Sequence, residues 1–370
     1  MRTVLHISKV KGIAGSENHL LTLLPELRTA GHKPTMLVLC GPQDRPEEFV
    51  ARLSDVGIPV EVLPMRSNVD PGLAWQLYRF LSTHDFDVVH THLFHADVYG
   101  AVAARLARVG PLVTTKHGFN PWRVRRFFSW LDRRAGDTQA AIITISAAIG
   151  EWLVRTEGLS PAKMRVVHYA LDGERFRSAA VGTADLPTGD PLIGTVSRLL
   201  DQKKVDVLVR AVAACVERHP GIALVVAGDG PERQRLASLS TQLGIADRVT
   251  FLGHYEDVSA LLRRLDIFVL PTGGEGFGLV VLEAYAWSTP VVVSDVLALP
   301  EIVERDVGGL LVPPGNVARL ARALDVLAAD LGLRQRLGAA GRQRLERDFT
   351  VERMVRETVA VYDDVLRRVS

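Results

Sequence analysis

Short apolar runs alternate along the chain with segments in which apolar residues recur at helical spacing. In the N-terminal half, the runs of strand length are residues 2–8, Thr35–Cys40, 59–63, Asp87–His90, Pro111–Lys116, Ala140–Ser146 and Met164–Tyr169. The segments between them are long enough for helices, and the first of these has leucines at positions 20, 21, 23, 24 and 27. Alternating strands and helices predict a parallel sheet covered by helices on both faces.

The alternation stops at a polar stretch and then restarts. Residues 178–190 have no periodic apolar pattern and are interpreted as a linker, and residues 191–350 repeat the strand and helix pattern. We predict an α/β chain with two doubly wound domains, residues 1–177 and 191–350, which face a central cleft where ligands bind. For the helix over 351–370, packing against the N-terminal domain is one option.

Composition narrows the class of protein. With 370 residues, 47% of them hydrophobic and 23% charged, the chain suits two globular domains. No apolar run has the 18 or more residues of a membrane span, and the N-terminus lacks the apolar stretch of a signal peptide. The expected location is the cytoplasm. Cys40 and Cys215 lie far apart, so we expect two thiols rather than a disulfide or a thiolate metal site.

The net charge of +2 is unevenly distributed. Residues 121–136 interleave arginines with Trp122, Phe127, Phe128 and Trp130. One interpretation is a helix that packs its aromatic side on the sheet while its arginines face water. The alternative is a peripheral contact with the inner face of an anionic membrane. No zinc, helix-turn-helix or RNA-binding motif accompanies the charge, so nucleic acid is not an expected partner.

The stretch with the most specific pattern runs from Asp266 to Asn316. It predicts a strand, a glycine-rich loop over 272–278, a helix from Leu279 and a further strand. Glycines let the backbone approach a ligand, and the N-terminus of the helix attracts anions, so the loop is a candidate phosphate site. Glu275 and Glu283 could hold hydroxyl groups on either side of a diphosphate, about 12 Å apart if the segment were helical throughout. The alternative is a capping loop with two solvated glutamates.

Two cations follow an earlier strand. Arg198 comes just after the strand, and Lys203 lies five positions later, before a helix. They could neutralise a diphosphate, although a solvated polar turn is an equal alternative. The Gly228 to Gly230 segment is interpreted as an ordinary turn.

Histidines mark the ends of two strands in the N-terminal half. His90, His92 and His95 suggest a metal site, but no carboxylate cluster accompanies them, so hydrogen-bonding histidines are the preferred interpretation. His117 follows a strand and precedes Gly118, which is a ligand-facing position in an open α/β sheet. A core or loop histidine is the alternative there.

Taken together, these motifs resemble the retaining nucleotide-sugar glycosyltransferases of family 4, which have the GT-B fold. The resemblance covers nearly the whole chain and follows the family's order: Gly15-Ser-Glu17, DVVHTHLFHAD, TKHG, SRLLDQK, VAGDGPE, RVTFLG, PTGGEGFGLVVLEA, STPVVVSDV and GLLVPPGN. The glycine loop predicted after the first strand, Lys11 to Glu17, lacks the full G-x-G-x-x-G pattern, so a hydride-transfer cofactor is not expected.

The resemblance assigns roles to individual residues. It implies that Arg198 and Lys203 bind the donor diphosphate and that Glu275 binds hydroxyls of the donor sugar. The other positions it implicates are Gly276, Phe277, Gly278 and Leu279 around the donor, Glu283 at the ribose, His254 and Tyr255 near the base, Gly15 beside the diphosphate and acceptor, and His117 beside the donor sugar.

The sequence departs from the family pattern at four turns. Ala14 replaces the first of two glycines, Lys204 replaces a common glycine, Leu297-Ala298 replaces Gly-Gly, and Tyr169-Ala170 replaces Asn-Gly. None of these departures removes a residue to which a role is assigned. Bulkier residues at these turns reshape the site and leave the donor and acceptor open.

The expected function is hexosyl transfer from a UDP- or GDP-linked sugar to a glycan, glycolipid or small-molecule acceptor in polysaccharide biosynthesis. The resemblance implies retention of configuration without a cofactor or metal ion, because cations and helix dipoles stabilise the departing diphosphate. Two alternatives remain: a nucleotide-sugar epimerase or sugar phosphorylase of the same fold, and a non-catalytic sugar-binding subunit. The motifs of serine hydrolases, zinc proteases and Walker ATPases are absent from the sequence.

Overall fold

The chain divides into two compact units. In the computed structural model, which describes residues 1–119, 126–179 and 186–368, one unit contains Met1–Ala170 with Val351–Ser370, and the other contains Leu171–Thr350. The boundary lies before the 178–190 stretch interpreted as a linker, and α7 (Gly173–Ser178) belongs to the second unit. Of the basic segment 121–136, residues 121–125 lie outside the described residues, and the remainder lies in helix α5.

The described part of the first unit is built on a parallel sheet with strand order β3-β2-β1-β4-β5-β6-β7. The strands are β1 (Thr3–Lys9), β2 (Lys33–Cys40), β3 (Val60–Pro64), β4 (Val88–His92), β5 (Leu112–Lys116), β6 (Ala141–Thr144) and β7 (Met164–Val166). The helices are α1 (Gly15–Thr29), α2 (Glu47–Asp55), α3 (Pro71–Ser82), α4 (Leu93–Ala107), α5 (Arg126–Thr138), α6 (Ala147–Glu157) and α15 (Val351–Arg367).

The described part of the second unit has a parallel sheet with strand order β10-β9-β8-β11-β12-β13. The strands are β8 (Leu192–Val196), β9 (Ala223–Ala227), β10 (Val249–Gly253), β11 (Ile267–Leu270), β12 (Val291–Ser294) and β13 (Gly309–Val312). Besides α7, the helices are α8 (Val205–Ala213), α9 (Arg233–Gln242), α10 (Val258–Arg264), α11 (Leu279–Ala286), α12 (Leu299–Ile302), α13 (Val317–Ala329) and α14 (Leu331–Asp348).

Both sheets have the doubly wound order of a Rossmann fold, as the alternating pattern predicts. In the first unit, apolar side chains of α1, α2 and α15 cover one face of the sheet, and those of α3 and α4 cover the other. In the second unit, α8 and α13 bury leucines and valines against the central strands. In each sheet the strand order reverses between two central strands, β1 and β4 or β8 and β11. Ligands of such sheets bind at the carboxyl ends of these strands.

Local sequence explains where several helices begin. Asp70 caps α3 by accepting a hydrogen bond from the Leu73 N–H at 3.2 Å, and Pro71 occupies the first turn. Ser146 caps α6 in the same way, and Asn316 caps α13. These capping side chains satisfy backbone donors that the helix itself leaves open. None of the described helices is long and apolar enough to cross a membrane.

A fully buried ion pair lies inside the first unit. The Nζ atom of Lys116 on β5 is 2.9 Å from Oδ2 of Asp97 on α4, and the two side chains are 1% and 0% exposed. Oδ1 of Asp97 accepts hydrogen bonds from the hydroxyls of Thr91 and Thr114 at 2.7 and 2.5 Å. A buried charge is costly unless it is paired and hydrogen-bonded, so these contacts fix α4 against the sheet.

Four of the described non-glycine residues in the second unit adopt a left-handed backbone, and two of them lie at positions where the family usually has glycine. Lys204 has φ +50° and Leu297 has φ +51°. The left-handed region costs a residue with a side chain roughly 1–2 kcal/mol, whereas glycine adopts it freely. These are two of the positions at which the sequence departs from a family glycine, so the turn geometry is kept while the residue has changed.

We expect Asp97→Asn to lower the free energy of unfolding by about 3–5 kcal/mol, because the substitution leaves the buried Lys116 ammonium without its carboxylate. Urea denaturation at pH 7 measures this change. The matched control is Glu151→Gln, which breaks the exposed pair with Arg155 on α6 and should change the stability little. Equal effects of the two substitutions would contradict the account.

We expect Lys204→Gly to be more stable than Lys204→Ala by about 1 kcal/mol, because both variants lose the exposed ion pair with Asp201 and only glycine relieves the left-handed strain. Thermal denaturation of the two variants gives the difference. The same pair of changes at Arg210, inside α8, should have the opposite sign, because glycine weakens a helix interior by up to about 1 kcal/mol. Alanine proving the more stable residue at position 204 would refute the strain argument.

Candidate active site

In the second unit, two loops meet at the carboxyl ends of β8 and β11. The Gly273 N–H donates to the Gln202 carbonyl at 2.8 Å, and Nε2 of Gln202 donates to the Gly274 carbonyl at 3.1 Å. The two loops are 72 positions apart in sequence, but β8 and β11 are neighbours in the sheet. The predicted glycine loop and the predicted pair of cations therefore lie side by side at the point where the strand order reverses.

An ion pair joins these loops. Nζ of Lys203 lies 2.7 Å from Oε2 of Glu275, and the two side chains are only 17% and 19% exposed. The other oxygen of the Glu275 carboxylate accepts a hydrogen bond from the Gly276 N–H at 3.2 Å. Both side chains are thus oriented before any ligand arrives, and each still reaches solvent.

The glycine loop leads into the N-terminus of α11. Gly278 caps this helix with φ +93°, and a Cβ atom there would approach Cδ2 of Leu299 to 2.8 Å, so this turn requires glycine. No side chain accepts a hydrogen bond at this cap, and the helix dipole is directed from Leu279 towards the loop. The end of the helix can therefore receive an anion, as the sequence predicts.

The two glutamates do not share one helix. Because α11 begins at Leu279, the residues from Glu275 to Gly278 are not helical, so the segment does not meet the condition of a continuous helix under which a separation of about 12 Å was expected. Glu283 lies inside α11 and is partly exposed, and its carboxylate accepts no hydrogen bond from any residue that the structure describes. Burial raises the pKa of Glu283 to about 7.

Arg198 lies just beyond β8 and is exposed to solvent. Within the described ranges, its guanidinium forms neither an ion pair nor a hydrogen bond. None of the described residues of the second unit pairs with this charge, and a cation of that kind can reorient towards a phosphate.

The residues proposed near the nucleotide base follow β10. His254 is exposed, and Tyr255 is partly buried, which raises the pKa of its phenol. The Gly253 carbonyl accepts a hydrogen bond from the Gly228 N–H at 2.7 Å. Gly228 has φ +131°, and a Cβ atom there would overlap the Ser197 carbonyl, so the glycines of the VAGDGPE segment serve the turn, as expected.

In the first unit, Gly15 begins α1 and is exposed. The Ala14 N–H and the Ser16 hydroxyl donate to the Glu17 carboxylate at 3.1 and 2.9 Å, which closes the turn before the helix. Ala14 itself has φ −138°, an extended conformation that any residue adopts, so the alanine in place of the family glycine causes no strain. A Cβ atom on Gly15 would meet nothing within 4 Å.

His117 belongs to a continuous set of hydrogen-bonded rings in the first unit. Its Nδ1 lies 2.5 Å from the Tyr169 hydroxyl, and its Nε2 lies 2.9 Å from Nδ1 of His92. Nε2 of His92 lies 3.0 Å from Nδ1 of His6. The predicted ligand-facing histidine therefore has both ring nitrogens occupied within its own unit, so a role as a proton acceptor would require breaking one of these bonds.

The other histidines of this group are buried. The two ring nitrogens of His90 lie 2.7 Å from the hydroxyls of Tyr362 and Thr115. Burial lowers the pKa of His6 and of His19 to about 3, and it holds the pKa values of His90, His92 and His117 well below 6.5. These rings are therefore neutral at physiological pH.

The trio considered from sequence as a metal site is not brought together. His95 lies 3.0 Å from the Asn68 side-chain oxygen instead. His6 joins His90 and His92, and ring nitrogens of these three lie within 4.8 Å of one another. Hydrogen bonds within the first unit already use both ring nitrogens of His90 and His92, in agreement with the interpretation as hydrogen-bonding histidines.

Comparisons with known proteins agree with this architecture. Residues 13–175 match the family described as Glycosyltransferase Family 4, and residues 181–344 match the one described as Glycosyl transferases group 1. The phosphatidyl-myo-inositol mannosyltransferase of Mycobacterium leprae is 28% identical over 362 residues, which cover 95% of this chain and 93% of that protein. The glycogen synthase of Mycobacterium tuberculosis is 31% identical over 290 residues, which cover 75% of this chain and 68% of that protein.

A solved structure shares the fold. Anabaena HepE in complex with UDP superposes with a TM-score of 0.83 at 21% identity, covering 98% of this chain and 100% of that chain. These comparisons confirm the predicted GT-B fold and the prediction of a transferase. The chain belongs to the family 4 glycosyltransferases.

Proposed function

We propose that this glycosyltransferase transfers a sugar, with retention of anomeric configuration, from a UDP- or GDP-linked donor to a hydroxyl of a glycan, lipid-linked glycan or small-molecule acceptor. The observation that carries the proposal is the Lys203 and Glu275 pair in front of the N-terminus of α11. Crystal structures of Anabaena HepE, which has the same fold, contain UDP or UDP-glucose, and this supports a nucleotide-sugar donor. Retention is proposed from the resemblance to the family's motifs.

In the proposed reaction, cations and a helix dipole stabilise the leaving diphosphate. Lys203 and Arg198 supply positive charge at the carboxyl end of β8, and the first N–H groups of α11 face the glycine loop. Charge that is already in place when the sugar leaves needs little reorganisation, and such electrostatic stabilisation is usually the largest catalytic contribution. We propose that the reaction requires no bound metal ion.

The remaining assignments concern the donor and acceptor. Glu275 is proposed to accept hydrogen bonds from donor-sugar hydroxyls, with backbone N–H groups of residues 276–278 beside it. Glu283 is proposed to hold the ribose, and residues 254–255 to contact the base. In the first unit, Gly15 and His117 are proposed to contact substrate. His117 does so as a positioning group rather than as a base, because its ring nitrogens are already hydrogen-bonded.

We expect Lys203→Ala to reduce kcat/KM at least about 100-fold, because the ammonium group acts where charge develops. Steady-state transfer, assayed with EDTA present throughout, measures the loss, and NMR of the product gives the anomeric configuration. Lys204→Gly is the matched control, since it removes the same charge from the adjacent position. Near-normal turnover by the Lys203 variant would contradict the site, and an inverted product would contradict retention.

The raised pKa of Glu283 predicts that nucleotide binding depends on pH. Below about pH 7 the carboxyl is mostly protonated, and above it the carboxylate can accept hydrogen bonds from both ribose hydroxyls. We expect the Kd of the preferred nucleotide to fall between pH 6 and pH 8 more steeply in the wild type than in Glu283→Gln. Calorimetric binding titrations of both proteins at each pH measure this difference. Protonation of the nucleotide's own phosphate changes the Kd equally in the two proteins, so it does not affect the comparison. Identical slopes would exclude Glu283 from the ribose site.

The same pKa shift also makes the stability of the protein without nucleotide depend on pH. Nucleotide binding should strengthen as the pH rises, whereas the contribution of Glu283 to folding should weaken. A folded-state pKa of about 7 lies above the ordinary value of 4.5, so Glu283 favours folding when it is protonated. This contribution is fully present below pH 4.5 and is lost as the pH rises through 7. The melting temperature of Glu283→Gln relative to the wild type should therefore increase from pH 5 to pH 8.

A further inference from the structure

The hydrogen bonds of His117 extend into the core of the first unit. Tyr169, which follows β7, is bonded to His117, which follows β5. His117 is bonded to His92 at the end of β4, and His92 is bonded to His6 within β1. The links are 2.5, 2.9 and 3.0 Å long. One unbroken chain of side-chain hydrogen bonds therefore crosses the carboxyl-end half of the sheet.

The chemistry of imidazole gives this chain a direction. A neutral histidine has one N–H donor and one acceptor nitrogen. Because both nitrogens of His117 and both nitrogens of His92 are used, each ring must donate at one end and accept at the other. The tautomer of one ring therefore determines the tautomer of the next, and only two arrangements of the whole chain are possible.

The buried end of the chain selects between the two arrangements. Nε2 of His6 has no hydrogen-bond partner among the described residues. If the bonds ran inwards from Tyr169, that atom would carry an unpaired, buried N–H. If they run outwards, His6 donates to His92, His92 donates to His117, and His117 donates from Nδ1 to the Tyr169 oxygen. The unpaired atom is then an acceptor, and among backbone groups of folded proteins orphaned buried N–H donors are rarer than under-satisfied acceptors.

We propose that Tyr169, His92 and His6 form a relay that fixes His117 as the Nδ1–H tautomer and holds the orientation of its ring. Tyr169 and His92 are then positioning residues for the transfer reaction. Packing supports this arrangement, because the ring of His19 stacks on Tyr169 at 4.7 Å between centroids and meets the edge of His117 at 5.5 Å. The kinetic part of this inference rests on the proposed function, whereas the relay itself does not.

The chain offers a matched control for Tyr169. The Tyr362 hydroxyl lies 2.7 Å from Nδ1 of His90, so Tyr362→Phe removes the same kind of buried hydroxyl to imidazole bond. The other nitrogen of His90 bonds to Thr115, so His90 lies outside the relay. Both changes to phenylalanine keep the ring, and melting temperatures show whether each variant is folded.

The first experiment is NMR of the full chain with 15N-labelled histidine, in which ring-nitrogen shifts report the tautomer of each imidazole. The wild type should show single, fixed tautomers for His117, His92 and His6, with His117 protonated at Nδ1. Tyr169→Phe should shift the ring-nitrogen signals of all three, including those of His6, which lies two hydrogen bonds beyond His117. Tyr362→Phe should shift only those of His90.

Three NMR results would overturn the relay. The first is a mixture of tautomers in the wild type. The second is a change of ring-nitrogen shifts in Tyr169→Phe that is confined to His117. The third is a change in the shifts of His117, His92 and His6 that is as large in Tyr362→Phe as in Tyr169→Phe. One equivalent of zinc in the purified wild-type protein, bound by His6 and His92, would also overturn it, because a metal ion would replace their hydrogen bond.

The second experiment tests positioning by kinetics. Tyr169→Phe should lower kcat about tenfold and change the donor KM less than twofold, because misplacement of a positioning group affects the reacting geometry more than binding. Tyr362→Phe should leave both constants unchanged. An unchanged kcat in Tyr169→Phe would refute the positioning role. If the wild type transfers no sugar from any nucleotide donor, the proposed function fails, and the NMR result decides the relay by itself.

Discussion

The ion pair between Lys203 and Glu275 is the contact on which the proposed chemistry depends. It joins loops that are distant in sequence, and it exists because β8 and β11 are adjacent where the strand order reverses. A parallel sheet places all strand ends at one edge, so a cation after one strand meets a carboxylate after the other. When a diphosphate binds there, Lys203 can exchange the Glu275 carboxylate for a phosphate oxygen. Both side chains are already partly buried, so little further charge has to be removed from water.

The two units manage polar groups in different ways. In the second unit, the charged side chains assigned to the donor remain at least partly exposed, and the side chains of Arg198 and Glu283 make no hydrogen bonds with the described residues. In the first unit, several polar groups below the strand ends are buried and bonded to one another, as in the Asp97 and Lys116 pair and the His6 and His92 pair. Groups held this way have little freedom to change partners, and this suits a supporting and positioning role better than proton transfer.

Much of the fold was predictable because hydrophobic periodicity is a local property. The strands and helices around Glu275 appear nearly where the pattern places them. The pattern did not identify β13 or α12, because both are short and lie in a segment rich in glycine and proline. It also placed Gly15 in a loop, whereas the helix α1 begins at that residue.

The candidate site was predictable only in part, because pairing depends on strand order and register. The residue types suggest diphosphate binding by Arg198 and Lys203 and hydroxyl binding by Glu275, but nothing local shows that Lys203 contacts Glu275. The relay was missed because His6 reaches His92 only when β1 pairs with β4, in the register that sets His6 opposite His90. In the sequence, Tyr169 marks only a departure from the family pattern, because its bond to His117 depends on the tertiary fold.

The most direct test of the central claim is a thermal-shift measurement with UDP, GDP, ADP and TDP in the presence of EDTA. A ligand at a hundredfold excess over its Kd stabilises the folded state by about 2.7 kcal/mol. The account predicts that one nucleotide raises the melting temperature of the wild type and of Lys204→Gly, and that this increase is lost in Lys203→Ala. No response to any nucleotide, or an equal response in the Lys203 variant, would contradict a diphosphate site at the Lys203 and Glu275 pair.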